Sequence, residues 1–212
     1  MQSTISVVEP ARDIDLITLY AAKVALNVGS STTQDDLISQ FIKFSSDKIA
    51  TMCNRVFAER TVVETFLEFG GTQLRIFLSQ WPVNDIKPFV VEENGVELVR
   101  DIDYDLDVEK GRLTRFNSAW VEPTIVSYTG GYDLPHKAPP ALQQAALLTT
   151  REAYFLAIRG DASIRSVSHK EARVMFFDPN TALKSLSGGS SGGSPAQRAV
   201  DSLLQHYMRI EA

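Results

Sequence analysis

Thr124 to Leu147 reads TIVSYTGGYDLPHKAPPALQQAAL, and the change of rhythm inside it decides the fold. Up to Thr129 the residues are β-branched or aromatic and alternate, the pattern of a strand half-buried in a sheet. Gly130-Gly131 stops that pattern, and Pro135, Pro139 and Pro140 fix an extended passage. From Ala141 onward, Leu142, Ala145, Ala146, Thr149, Ala153 and Leu156 recur at three- and four-residue steps, so one face of a helix over 139–159 is apolar, and Gly160 follows where a left-handed cap belongs. A strand feeding a long helix through a rigid connector calls for a mixed fold.

Upstream, from Thr61, the same two-residue rhythm continues. Strands are expected at Thr61 to Phe69, Gln73 to Ser79, Lys87 to Glu92, Val96 to Arg100, Asp103 to Glu109, Arg112 to Phe116 and Thr124 to Thr129, a β region over 61–129. Asn94-Gly95 supplies the positive-φ pair of a two-residue hairpin, and Lys110-Gly111 suggests a second turn. Short links of this kind imply successive antiparallel pairing.

Before the strands lie two helical patterns. Asp13 to Asn27 carries Ile14, Ile17, Ala21, Val24 and Ala25 at helical spacing, and Asn27-Val28-Gly29 closes it. Thr33 precedes Gln34-Asp35-Asp36 as an N-cap with acid in the first turn, and Leu37, Phe41, Phe44, Ile49 and Met52 carry a long helix to Phe57. After Gly160 the period is lost: Arg173 to Phe177 suits a short strand, and Ser187 to Ser194 is Ser and Gly only. Pro195 to Ile210 resumes an amphipathic helix through Val200, Leu203, Leu204 and Tyr207. The expected class is α+β, with a core of three to four helices (13–27, 33–57, 139–159), an inserted antiparallel β region, an extended arm and a tethered C-terminal helix. The division is 1–160 for the main domain, 161–194 for arm and linker, and 195–212 for the last helix.

The 212 residues are 44% hydrophobic and 22% charged, with mean hydropathy −0.07, enough to bury one core and ordinary for a globular chain. No run approaches a membrane span, and Met1 to Arg12 has neither the basic start nor the apolar stretch of a secretory signal, so synthesis and retention in the cytoplasm are expected. A net charge of −5 argues against gripping a phosphate backbone, which requires clustered Lys and Arg. Cys53 is the single cysteine, flanked by Met52 and near Val56, and reads as a buried structural thiol within a helix.

Chemistry-bearing patterns are weak. Asp101, Asp103, Asp105, Asp107 and Glu109 alternate with Ile102, Tyr104, Leu106 and Val108; a calcium loop would need Gly sixth and Glu twelfth, where this sequence has Leu106 and Arg112, so a solvated strand face is the better account. His136, His169 and His206 fall in different elements, and the run Gly188 to Gly193 lacks the Lys-Ser/Thr ending of a phosphate loop. Trp81, Trp120, Tyr128 and Tyr132 suit core packing better than exposed anchors. No catalytic, cofactor or metal residue is assigned.

The order of segments resembles the head-tail connector (adaptor, or head completion) proteins of long-tailed bacteriophages and gene transfer agents. The pieces that carry it are TTQDDLISQFIKFSSDKIATMCNRVF from Thr32, TVVETF from Thr61, LSQWPV from Leu78, IDYDLD from Ile102, GRLTRF from Gly111 and the opening stretch from Thr124. It spans roughly Thr33 to Gly160, with weaker similarity in IRSVSHKEARVMFF and LLQHYMR. The resemblance implies a structural, non-enzymatic subunit of the virion neck, without cofactor. Such a subunit forms a ring under the portal, twelve-fold by family expectation, and extends the DNA channel toward a head-closure (stopper) protein and tail. DNA would pass without sequence-specific binding, and no membrane is involved. On this reading Val200, Leu203, Leu204 and Tyr207 dock on the portal protein, and an arm through Val174, Phe176 and Phe177 joins neighbouring copies by strand addition. A head-closure or tail-terminator ring protein, dominated by a β-barrel, is the alternative, and a hydrolase with an unfamiliar site is a third.

Overall fold

The computed structural model describes residues 2–67, 72–158, 166–169, 172–175 and 195–208. They fall into two compact units, one from Met1–Ile14 and Arg55–Lys137, the other from Asp15–Asn54 and Ala138–Ala212.

The described residues of the first unit form strands, turns and loops. A five-stranded antiparallel sheet runs in the order β1 (Gln2–Glu9), β2 (Arg60–Leu67), β8 (Thr124–Gly130), β4 (Val90–Glu93), β5 (Val96–Glu97), and a three-stranded one in the order β3 (Arg75–Phe77), β7 (Arg112–Arg115), β6 (Tyr104–Asp107). Every expected strand is present, most of them shortened and the last extended by one residue to Gly130, but successive pairing holds only for β4 with β5 and β6 with β7. Elsewhere the partners are distant: β2 pairs with β1 and β8, and β3 with β7. Asn94 (φ 48) and Gly95 (φ 78) make the expected hairpin turn. Val62 and Phe66 from β2, Val91 from β4, Val126 and Tyr128 from β8, and Ile76, Leu106 and Leu113 from the other sheet form one buried cluster. Alternation along each strand is what turns these residues inward together.

Among the described residues, four helices build the second unit: α1 (Leu19–Leu26), α2 (Asp35–Met52), α3 (Pro140–Ile158) and α4 (Pro195–Leu204). Its described residues also include the hairpin of β9 (Ser166–His169) and β10 (Ala172–Met175). The helix expected over 13–27 begins only at Leu19, because Thr18 takes an extended conformation and its Oγ1 accepts from Ala21 N at 3.1 Å. Leu16 and Ile17 are buried outside the helix, and Leu16 N donates to Ser46 Oγ at 2.9 Å. The inward stripe is therefore Ala22 and Leu26, while Val24 is 62% exposed. In α2 the buried residues are Ile38, Ile42, Ser45, Ser46 and Ile49, one position round from the expected Leu37, Phe41 and Phe44. Two serines stand on the core side, so apolar counting alone chose the neighbouring face. Cys53, buried, is the C-cap of α2 and not an interior position.

On α3 the expected face is the buried one, through Leu142, Ala145, Ala146, Thr149 and Ala153, with Thr150 and Tyr154 added. Alanines allow close helix approach, and Ser45 Oγ meets Thr150 Oγ1 at 2.8 Å between α2 and α3. Near α1, Lys23 Nζ reaches Asp35 Oδ1 at 2.6 Å and Ser31 O at 2.7 Å, joining that helix to the start of α2. The C-terminal helix expected to Ile210 ends at Leu204. Gly160, the Gly/Ser run, Phe176 and Phe177 lie outside the described residues.

Candidate functional site

Three of the quoted sequence pieces meet in the β unit. Glu64 on β2 is fully buried, with Oε2 accepting from Ser79 N and from the Tyr128 hydroxyl, both at 2.9 Å, and Oε1 accepting from Ser79 Oγ at 2.5 Å. Tyr128 Oη in turn accepts from Gln80 N at 3.0 Å. With its amide oriented to satisfy both ends, Gln80 donates to Val56 O at 3.2 Å and accepts from Arg60 Nη2 at 2.8 Å. TVVETF, LSQWPV and TIVSYTGGY are thus tied by one carboxylate, one phenol and the backbone of one loop.

The glycines explain how close the chains come. A Cβ on Gly130 would lie 2.7 Å from Gln80 O, and one on Gly131, at φ +108, would lie 2.6 Å from Ala58 O. Beside them the Arg55 guanidinium stacks 3.6 Å from the Trp81 ring centroid and 4.8 Å from that of Phe57, and Arg55 Nη2 donates to Trp81 O. Burial raises the Tyr128 phenol far above its ordinary range, with the Glu64 charge adding to the shift. Burial lowers the Arg60 guanidinium, while Tyr128 and Glu64 act in the opposite direction. Glu64, Ser79 and Tyr128 are at most 2% exposed, so no substrate reaches this carboxylate, hydroxyl and phenol. The arrangement can hold a loop in place.

The acidic row is a strand face only in part. Tyr104 and Leu106 are buried with Asp105 exposed between them, as alternation requires, but Asp101 (φ 65) sits in a turn. Asp107 pairs with Arg112 at 3.3 Å, and Asp103 with Arg115 at 3.6 Å, so basic partners stand where a cation would compete. Among the described residues no group of His, Cys, Asp and Glu could hold a metal ion, and no described helix is long and apolar enough to cross a membrane. His136 and His206 are exposed, in different units. Trp120 and Tyr128 pack in the core, while Trp81 and Tyr132 are half-buried.

One cleft of about 330 Å³ opens on the β unit, lined by Glu9, Arg12, Glu59, Arg60, Lys87 and Asp133 among others. Its charges largely answer one another: Lys87 Nζ reaches Glu59 Oε2 at 3.2 Å, and Asn84 Nδ2 reaches Glu59 Oε1 at 2.6 Å. An apolar lining with a few convergent polar groups, the usual mark of a small-molecule site, is not what these residues form.

Large exposed apolar side chains are the more informative surface. Ile86 is 97% exposed on a loop held by Asn84, whose Oδ1 accepts from Ile86 N at 3.1 Å, and by an ion pair of Asp85 with Arg100. Tyr20 and Val24 on α1 are 79% and 62% exposed. Val24 fits the apolar period expected of the first helix, so the sequence does not separate it from a core residue, whereas Ile86 lies outside every expected strand. Of the four residues expected to dock, Val200 and Leu204 are buried where α4 packs on α3, and Leu203 and Tyr207 are half-buried. Of the expected arm, Val174 lies in β10 opposite Val167.

The sequence model of the head completion protein family matches residues 15–169. Among solved structures, a chain from the neck of an empty GTA particle, computed with C6 symmetry, has the same fold at TM-score 0.58 and 14% identity, over 99% of this chain and 97% of that one. A chain from the virion of a native gene transfer agent particle matches at TM-score 0.55 and 13% identity, over 98% and 96%. No curated protein matches in sequence.

Proposed function

This chain belongs to the head completion protein family, and from that premise we propose that it is the adaptor subunit of a phage or gene transfer agent neck, forming a ring beneath the portal. The observation that carries the reading is the family match across 15–169, joined to a fold shared over nearly the whole chain with a subunit from a GTA particle neck. The work is assembly, done by surfaces. The 18-residue α2 and 19-residue α3 favour an adaptor over a barrel-dominated head-closure protein.

A ring requires two different surfaces on each copy, because head-to-tail contacts are not self-complementary. Exposed apolar side chains on both units, Ile86 on one and Tyr20 on the other, supply material for such contacts. The partners on this reading are the portal protein above, copies of the chain at each side, twelve in all, and a stopper below. The net charge of −5 suits a channel through which DNA slides, since phosphates find few cations to hold them. Functionally, 1–160 is the connector, 161–194 the arm and linker, and 195–212 the docking segment.

Burial of Val200 and Leu204 sharpens the docking proposal: these two fix α4 to its own unit, which leaves Leu203 and Tyr207 to face the portal. Truncating the helix would remove core packing as well as a contact. Leu203→Asp is the cleaner test: portal binding in a pull-down is expected to fall about 30-fold, equivalent to roughly 2 kcal/mol, with the melting temperature unchanged. Undiminished binding by the folded variant would remove α4 from the portal interface.

A further inference from the structure

We propose that the outer edge of β1 receives the β9–β10 hairpin of a second copy, so that the five-stranded sheet continues across the boundary between subunits. The inference rests on the ring reading above and names the surfaces that meet. Its first support is the edge itself. β1 ends the sheet, pairs only with β2 among the described strands, and spans eight residues without Lys or Pro, so a row of backbone groups faces outward. The opposite edge, β5, is two residues long and offers little to pair with.

The second support is the face of β1. Val7 is the register partner of Val62, and Ile5 that of Glu64, both fully buried, so Ile5 and Val7 stand on the core side of the sheet. Even so, Ile5 is 38% and Val7 46% exposed, because the core does not extend under the last strand. An added strand would extend that core. The hairpin has the complementary need: two four-residue strands pair only with each other among the described residues, and an isolated two-stranded sheet has marginal stability in water.

Charge fits as well. Residues 2–14 carry Glu9 and Asp13 against Arg12 and are net negative, whereas 166–175 carry Lys170 and Arg173 against Glu171 and are net positive. Because the two surfaces differ, the contact repeats head to tail and can close a ring.

The test mixes two full-length variants, Ser6→Cys labelled with nitrogen-15 and Ser168→Cys unlabelled, with a short bis-maleimide, and identifies linked peptides by mass spectrometry while mass photometry sizes the assemblies. Cross-links joining residue 6 of one isotope to residue 168 of the other are expected, reduced about ten-fold by Ile5→Lys, which places a charge on the half-covered face. Such links in open chains would uphold this contact and refute the closed ring. Closed rings in which residue 6 links only to another residue 6, only within its own chain, or to nothing would overturn the contact and leave the ring standing; neither links nor assemblies would sink both.

Discussion

The two units hold themselves together by different physics. In the β unit a fully buried carboxylate, a phenol and two glycines fix one loop against two strands through directed contacts. In the helical unit the core is Ile38, Ile42, Ile49, Leu142 and a row of alanines, with hydroxyl pairs such as Ser45 with Thr150 between helices. Directed contacts tolerate little change, because a buried polar atom that loses its partner pays the full cost of desolvation. Close-packed small residues yield more gradually. The β unit thus presents its exposed edge and the Ile86 loop on a sheet held by directed, buried contacts.

The contrast can be broken most severely at Gly131. Gly131→Val sets a branched side chain against Ala58 O at a backbone angle that L-residues avoid, and a loss above about 5 kcal/mol is expected, seen as loss of soluble folded protein. Gln144→Val, at an exposed position of α3, serves as the control and should leave the protein folded. Next comes Glu64→Ala, which strands Ser79 and Tyr128 without their acceptor; about 3 to 5 kcal/mol should be lost in urea unfolding. If Glu64→Ala costs under about 1 kcal/mol, the network does not fix the loop.

On the helical side, Ala146→Leu overfills a fully buried position and should cost about 1 to 3 kcal/mol, less than either change above. An equal or larger loss would erase the contrast. The smallest effect is one of pH. The Tyr128 phenol is raised above the ordinary 10.0, so the unfolded chain releases this proton first. Its contribution to stability is whole below pH 10.0 and drains away as the pH rises beyond it. Tyr128→Phe should therefore flatten the alkaline slope of stability above about pH 10 while lowering stability at neutral pH. An unchanged slope would mean that this phenol ionises alike in both states.

Periodicity made most of this fold readable. The strands from Thr61 to Gly130 and the face of α3 follow from alternation and helical spacing, which are local properties. Partner choice is not local: β2 pairs with β8 some sixty positions away, and no turn residue announces it. The strand β1 has its own alternation in Ile5 and Val7, but a short half-polar run gives a faint signal. Helix faces failed where the core side is polar, as at Ser45 and Ser46, or where helix content is short, as before Thr18. Glu64 was hidden for a related reason. Within TVVETF it is one acid on a strand, and only the fold brings Ser79 and Tyr128 to it. The family resemblance was partly legible in the same segments, since three of the six pieces that carry it, TVVETF, LSQWPV and TIVSYTGGY, are those that lock the loop.

Imaging the particle neck, with and without the gene for this chain, is the most direct trial of the adaptor assignment. The account predicts a ring of density directly under the portal that accommodates both units, absent in the deletion, whose heads should fail to join tails. A neck of unchanged density, with tails attached, in particles lacking the chain would contradict it.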